Sequence, residues 1–297
     1  MISPGPEGAK EDAKSIIAVV GPTASGKTAR ALELARERGG EIISVDSRQV
    51  YRMLDIGTEK ISEAEMQGVP HHLINIRDPR ESYGAGDFVR DAERLILEIR
   101  ARGKVPILAG GTNFYFDAVL YGLPADTGPD PALRAELEKL PTEELARRVR
   151  ERDPRRAQRL DPDNRRRLVR ALEIISTHGT VPMREQTVPR YNVEWHILNP
   201  DRDTLRARIR ARLENTLARG LIEEVRHVRA YVGDTRLNEL GLEYKIVGEY
   251  LRGERTEDSL VPTLSSRLWH YARHQKAWLR KFSLDTKPQK CRDMIAP

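Results

Sequence analysis

The most constraining stretch of this chain lies near its start. An apolar, β-branched run, Ser15-Ile-Ile-Ala-Val-Val20, leads directly into Gly21-Pro22-Thr23-Ala24-Ser25-Gly26-Lys27-Thr28. Residues 29–38 follow as helix formers, with Leu32 and Ala35 on one face. Strand, Gly-x4-Gly-Lys-Thr and helix together fit the P-loop pattern, and that context separates it from a chance glycine-rich turn. The glycines let backbone N–H groups wrap a phosphate chain, and the helix N-terminus adds positive potential. Lys27 is placed to reach terminal phosphate oxygens, and the Thr28 hydroxyl to ligate Mg²⁺. An anionic phosphate ligand follows from this, but its identity does not. P-loops usually hold ATP or GTP, so a kinase or NTPase stands open at this point.

The rest of the chain supplies the sheet that such a loop requires. Gly39-Gly40 ends the first helix, and residues 41–45 form a second strand with Asp46 just past its end. Phe88, Ala92, Leu95, Ile96 and Ile99 recur at helical spacing, Gly103 stops that helix, and residues 105–109 are a third strand running into Gly110-Gly111-Thr112. Alternating strands and helices predict an α/β fold, a P-loop NTPase-like parallel sheet flanked by helices. From about residue 122 to 190 the pattern changes to Arg/Glu-rich helix punctuated by Pro-containing turns, with no strand evident. The expected organisation is a flexible tail over 1–14, a core over 15–121 and 191–297, and a helical insertion over 122–190. Within the second part of the core, residues 194–198 resume a strand, 205–219 a helix, and 263–282 a long basic helix.

Charge points to a partner. The chain has 297 residues with a formal net charge of +6, and 40 of its 51 basic residues are arginine, whose planar fork suits phosphates and base stacking. Between Arg147 and Arg170 stand 11 arginines against four acids, a candidate footprint for nucleic acid. The lone cysteine, Cys291, excludes a disulfide framework and any multi-cysteine metal site. No apolar run approaches the ~20 residues of a membrane span, and the polar start has no signal-peptide pattern. A cytoplasmic protein without membrane contact is expected.

Carboxyl ends of strands in open α/β sheets face the ligand crevice, so Asp46 belongs beside the P-loop, as a base, a magnesium-linked carboxylate or a helix cap. The motifs Gly-Pro-Thr-Ala-Ser-Gly-Lys-Thr, Asp46-Ser-Arg-Gln-Val-Tyr51, Asp55-Ile-Gly-Thr58, Pro70-His-His-Leu-Ile-Asn-Ile-Arg-Asp-Pro79 and Gly110-Gly-Thr112 occur in that order. Together with Asn164-Arg-Arg-Arg-Leu-Val-Arg-Ala-Leu-Glu173 and Gly220-Leu-Ile-Glu-Glu-Val225, they resemble the bacterial tRNA dimethylallyltransferases, also called tRNA isopentenyltransferases. The resemblance runs from about Ile16 to Phe282.

That resemblance implies transfer of a dimethylallyl group from dimethylallyl diphosphate to N6 of adenosine 37 in the tRNA anticodon stem-loop, with Mg²⁺ as cofactor and a monomer as the working unit. The P-loop, Gly21 to Thr28, then holds a diphosphate leaving group instead of ATP. Asp46 matches the family's proposed base, and Thr23 the residue at the bridging oxygen of the diphosphate. Arg208 is the first match for a diphosphate-contacting arginine, with Arg212 the fallback. Ser47, Arg48, Gln49 and Thr112 match positions that contact tRNA near the extruded base. Arg166, Arg167, Leu168, Val169 and Arg170 match a tRNA-binding stretch of the insertion.

The chain departs from the family pattern at Leu54, Glu59 and Asn113, over 180–189, and at Gly241-Leu-Glu-Tyr-Lys245. His71 and His72 read as structural or turn residues instead of metal ligands, and His270 and His274 as part of a basic face toward RNA. Trp269 and Trp278 read as packing residues. With Cys291 alone near the end, the C-terminal zinc finger of eukaryotic relatives is not expected.

Overall fold

The computed structural model describes residues 15–123, 128, 130–183 and 188–285, with side chains to residue 280. The expected tail over 1–14 and Cys291 lie outside the described residues. The elements in order are β1 (Ser15–Val20), α1 (Lys27–Arg38), β2 (Gly40–Val45), α2 (Glu63–Met66), β3 (His71–His72), α3 (Ala85–Ala101), β4 (Val105–Gly110) and α4 (Asn113–Tyr121). There follow α5 (Pro131–Glu138), α6 (Thr142–Arg152), α7 (Pro154–Ala157), α8 (Arg165–His178), β5 (Asn192–Ile197), α9 (Arg202–Ala218), α10 (Leu221–Leu237), α11 (Leu242–Leu251) and α12 (Leu260–Asp285).

Five strands make one parallel sheet in the order β3-β2-β4-β1-β5. β1 lies between β4 and β5, which explains its continuous apolar run: a strand covered on both faces and both edges has no polar position to offer. His71 and His72, read as structural or turn residues, form the short edge strand, with His72 paired to Glu41 at 2.7 Å. Glu41 also takes a bidentate Arg102 pair.

Packing divides the described chain into two units. One comprises the residues up to Leu120 together with those from Pro189, and the other is Tyr121–Val188. The second unit closes its own core over Leu145, Val149, Leu168, Val169, Leu172 and Ile175. A buried carboxylate, Glu173, anchors it by accepting both arms of Arg134 (2.6 and 2.9 Å) and Nη1 of Arg170 (3.0 Å). In the first unit α1 packs Ala31, Leu34 and Ala35 onto β1, β2 and β4, and the carboxyl ends of those strands carry the site. Among the described residues no helix is long and apolar enough to cross a membrane.

Candidate active site

Chain geometry makes the cradle. β1 ends at Val20, and the loop turns through Gly26 at φ 93°, a left-handed conformation that favours glycine, so that α1 starts at Lys27 with its N-terminal N–H groups free. Gly26 makes no side-chain cap, leaving those donors to a ligand. The Ser25 hydroxyl is buried in the same loop and has no hydrogen-bond partner among the described residues. The Lys27 ammonium folds back onto the Pro22 carbonyl at 2.7 Å. Burial, and after it the nearby Arg212 charge, lower the Lys27 pKa to about 8, with Asp46 opposing both. A lysine penalised in this way gains from any anion that enters.

Thr23 is held from two helices distant in sequence. Its hydroxyl accepts from Arg212 Nη1 at 2.7 Å, and its N–H donates to Gln275 Oε1 at 2.9 Å. Of the two candidate arginines, Arg212, half-buried on α9, is the one whose guanidinium meets Thr23. Arg208 lies one turn earlier, is exposed, and has no hydrogen bond or ion pair among the described residues. The buried positions of α9, Leu205, Ile209 and Leu213, orient this helix, and only the later turn reaches the P-loop.

Asp46 stands beyond β2. Its Oδ1 accepts from the Arg48 N–H at 2.8 Å and the Gln49 N–H at 3.3 Å, which closes the turn, whereas Oδ2 accepts nothing among the described residues. One carboxylate therefore caps a turn, keeps its second oxygen without a partner among the described residues, and lies close enough to Lys27 to favour its charged form. Ser47 N–H donates to Thr112 Oγ1 at 3.1 Å, tying the Asp46 turn to the loop after β4. The Gln49 side chain is committed: it accepts from Ser44 and donates to the Thr58 and Glu59 carbonyls. The Arg48 guanidinium is half-buried and approaches Gly241 and Glu243.

Several residues of the site carry no motif. Gln275 is buried and donates to the Gly111 carbonyl at 2.8 Å while accepting from Thr23, so a single amide joins the P-loop to the Gly110-Gly111-Thr112 loop. A Cβ on Gly111 would lie 2.6 Å from Gln275 Nε2, so a larger residue there would have to displace the amide. The signal for Gln275 was present: it is the one polar member of the buried stripe Leu264, Leu268, Ala272, Gln275, Leu279 on α12. Tyr271 faces the same crevice, its pKa pushed up to about 12 by burial and then by the Asp46 charge. Glu243 is likewise raised by burial, with Asp46 adding to the effect and Arg212 opposing it.

The loop that carries Asp55-Ile-Gly-Thr58 is clamped by Glu224. Its carboxylate accepts from the N–H groups of Asp55 (2.9 Å), Ile56 (2.6 Å) and Gly57 (2.9 Å), and from the Tyr244 hydroxyl (2.6 Å). Lys60 completes the clamp by donating to Tyr51 O, Asp55 Oδ1 and Asn75 Oδ1, each at 2.7 Å. Its pKa is lowered by burial and partly restored by Asp55.

The Thr28 hydroxyl is exposed at the α1 N-terminus and has no partner among the described residues. Those residues hold no group of three or more His, Cys, Asp or Glu able to bind a metal. A single hydroxyl at a phosphate loop suits Mg²⁺, which takes few protein oxygens and completes its shell with phosphate and water.

In the insertion, Arg166 and Arg167 are exposed on α8. Leu168 and Val169 are buried in the core of that unit and turn no side chain outward. Arg170 is paired with Glu173.

The chain matches the family described as IPP transferase over residues 49–282. It is 43% identical over 276 residues to a tRNA dimethylallyltransferase of Thermomicrobium roseum, spanning 90% of this chain and 84% of the relative. It is 42% identical over 278 residues to tRNA dimethylallyltransferase 1 of Citrifermentans bemidjiense, spanning 92% and 91%. Among solved structures, a full-length tRNA isopentenylpyrophosphate transferase from Bacillus halodurans is similar at TM-score 0.67 and 39% identity, covering 90% of this chain and 87% of that one. A eukaryotic dimethylallyltransferase described as acting on tRNA is similar at TM-score 0.78 and 27% identity, covering 90% and 70%.

Proposed function

We propose, on the premise that this chain belongs to the IPP transferase family, that it is a cytoplasmic tRNA dimethylallyltransferase using dimethylallyl diphosphate as donor and N6 of adenosine 37 as acceptor. The observation that carries the reading is Asp46, its Oδ2 without a partner among the described residues and its charge close to Lys27, at the edge of a P-loop whose Thr23 is held by Arg212. A P-loop with a general base at its rim is suited to displacing diphosphate by a nucleophile that must lose a proton.

The adenine N6 lone pair is delocalised into the ring and attacks poorly unaided. It forms a bond to C1 of the dimethylallyl group while the C1–O bond breaks, and that electron pair leaves on the diphosphate. Asp46 orients the amine and takes its proton, so the carboxylate ends protonated and the base neutral. Lys27, the α1 N-terminal N–H groups and Arg212 stabilise charge as it develops on the leaving oxygens. Arg212, not Arg208, is assigned this contact because its guanidinium is the one at Thr23. Thr28 would hold Mg²⁺, which supplies charge neutralisation on the diphosphate. The acceptor base is stacked in its loop and must be extruded to reach Asp46. Ser47, Arg48 and Thr112 line the rim it would cross, and Arg166 and Arg167 offer unpaired charge to the RNA backbone.

The test is incubation of the protein with labelled dimethylallyl diphosphate, unmodified tRNA and Mg²⁺, with AMP or ATP replacing tRNA in parallel. Label in tRNA alone is expected. Label in AMP or ATP alone, or none in any acceptor, would overturn the reading.

A further inference from the structure

The Asp55-Ile-Gly-Thr58 loop lies between the carboxylate of Glu224 and the turn that carries Asp46. On one side, Glu224 of α10 accepts four donors. Its Oε2 takes the Asp55 and Ile56 N–H groups at 2.9 and 2.6 Å, and its Oε1 takes the Gly57 N–H at 2.9 Å and the Tyr244 hydroxyl at 2.6 Å. On the other side, the carbonyls of Thr58 and Glu59 accept from Gln49 Nε2 at 3.1 and 3.3 Å. Gln49 Oε1 accepts from Ser44 Oγ on β2 at 2.9 Å, and the Gln49 N–H donates to Asp46 Oδ1 at 3.3 Å. A continuous series of hydrogen bonds and a short length of chain thus join Glu224 to Asp46.

The loop belongs to no helix or strand, so its place must come from such contacts. It closes on itself through Thr58 Oγ1 to the Leu54 carbonyl (2.6 Å) and the Lys60 N–H to the Asp55 carbonyl (2.9 Å). Three successive N–H groups then converge on one side, a concavity that takes an anion, and here the anion is the protein's own carboxylate. Gly57 rests against the ring of Tyr244, where a Cβ would lie 2.9 Å from three of its atoms. From α9, Thr216 Oγ1 and Arg219 hold the Glu59 carboxylate at 3.4 and 3.7 Å. Three helices therefore fix the loop, and its carbonyls in turn fix Gln49. The amide of Gln49 donates twice and accepts once within the protein, which suits a strut and leaves it unsuited to reading a base.

We infer that Glu224 is a positioning residue for the proton-accepting carboxylate: through the 55–59 loop and Gln49 it sets the turn from which Asp46 Oδ2 meets the acceptor amine. The inference rests on the proposed transferase activity. Asp46 Oδ1 is pinned by the N–H groups of Arg48 and Gln49, so the direction of Oδ2 follows from where that turn stands. A general base must come within about 2.6–3.2 Å of the group it deprotonates, and a displacement of about 1 Å can cost about 10²-fold in rate. Glu224 acts through Asp46 and needs no contact with either substrate.

The experiment is a double-mutant cycle read by single-turnover prenyl transfer, with enzyme in excess and both substrates saturating, so that the rate constant is that of the folded fraction. Glu224→Gln sets an amide N–H against the loop's own N–H groups and should lower the rate constant about 10²-fold. Glu224→Asp, which keeps the carboxylate on a shorter stem, should restore part of the loss. Gln49→Leu breaks the strut without touching Glu224 and should lower the rate constant while tRNA affinity and the KM for dimethylallyl diphosphate stay close to wild type. Residues that act as a unit are not additive. Glu224→Gln or Gln49→Leu added to Asp46→Asn should therefore cost almost nothing beyond Asp46→Asn alone. Losses that multiply in the double variants overturn the inference, as does a Glu224→Gln protein that melts lower yet keeps the wild-type rate constant. A Gln49→Leu protein that binds tRNA more weakly at an unchanged rate constant returns Gln49 to the RNA and breaks the link. Each of these results needs an active wild type and leaves the enzyme reading standing, whereas a wild type that prenylates no acceptor overturns both.

Discussion

Replacing Gln275 with leucine keeps a similar side-chain volume while deleting both ends of the amide bridge. The Thr23 N–H loses its acceptor at 2.9 Å and the Gly111 carbonyl its donor at 2.8 Å, each beside a buried side chain. An unsatisfied buried polar group costs about 1–3 kcal/mol, so two give about 2–6 kcal/mol, a large part of a total stability of about 5–15 kcal/mol. At about 2 °C per kcal/mol for a chain of this size, the melting temperature should fall by about 4–12 °C. The same change frees the P-loop backbone at Thr23, so pyrophosphate should bind more weakly and restore less of the lost stability. Gln275→Glu separates the two effects: it keeps an acceptor for Thr23 but sets a carboxylate against the Gly111 carbonyl and beside the cradle. Its affinity for pyrophosphate should fall below that of the leucine variant. Gly111→Ala, whose new Cβ would lie 2.6 Å from Gln275 Nε2, should reproduce the leucine phenotype. The assay is thermal melting with and without pyrophosphate, plus calorimetric titration. A leucine variant with wild-type melting temperature and pyrophosphate affinity would refute the view that this amide organises the cradle.

Lys27→Ala should lower prenyl transfer about 10²–10³-fold with the fold retained, and near-wild-type turnover would contradict its role at the diphosphate. In single-turnover transfer at saturating substrates, Asp46→Asn should lose about 10²–10⁴-fold; retention of more than about a tenth of the rate would leave Asp46 a turn cap only. Arg212→Ala should impair transfer by a factor comparable to Lys27→Ala while Arg208→Ala stays close to wild type, and the reverse order would return the contact to Arg208. Lys27, held to about 8 against an ordinary 10.5, is penalised when charged in the folded state. That penalty is complete below pH 8 and fades toward 10.5, so its contribution to stability rises with pH across that window. Pyrophosphate favours the charged form, so binding near pH 8.5 should take up a proton, read as buffer-dependent binding enthalpy that Lys27→Met abolishes; identical heats in buffers of different ionisation enthalpy would count against it.

The sheet was legible wherever a signal was local. β1, β2 and β4 announce themselves as short apolar runs, β5 by a strand-like pattern and α3 by its spacing, because burial imposes the period. The two-residue β3 has too few positions to show one. The Asp46 turn and the P-loop were readable because phosphate binding and turn capping need particular residues at fixed offsets. The choice between Arg208 and Arg212 was not. The two sit on one helix face about 6 Å apart in height, and only the tertiary packing decides which turn meets Thr23. Gln275 and Glu224 satisfy backbone N–H groups 252 and about 168 residues away, which no local window contains. The arginine count over 147–170 overstated free charge for a related reason. Glu144 pairs with Arg147 and Arg148, and Glu173 with Arg170, and both acids stand just outside the window.

The Gln275 bridge also bears on synthesis. The P-loop leaves the ribosome early, yet its Thr23 anchor lies 252 residues downstream, and the Asp55–Gly57 loop waits for Glu224. At about 5–20 residues per second, that interval is about 13–50 s. During it, the nascent protein carries a phosphate loop whose backbone has no partner from α12. A half-made chain can therefore hold its first strands together without possessing a finished cradle. Competence arrives with the last helix, so translational arrest before Gln275 would release a chain that folds in part and turns over nothing.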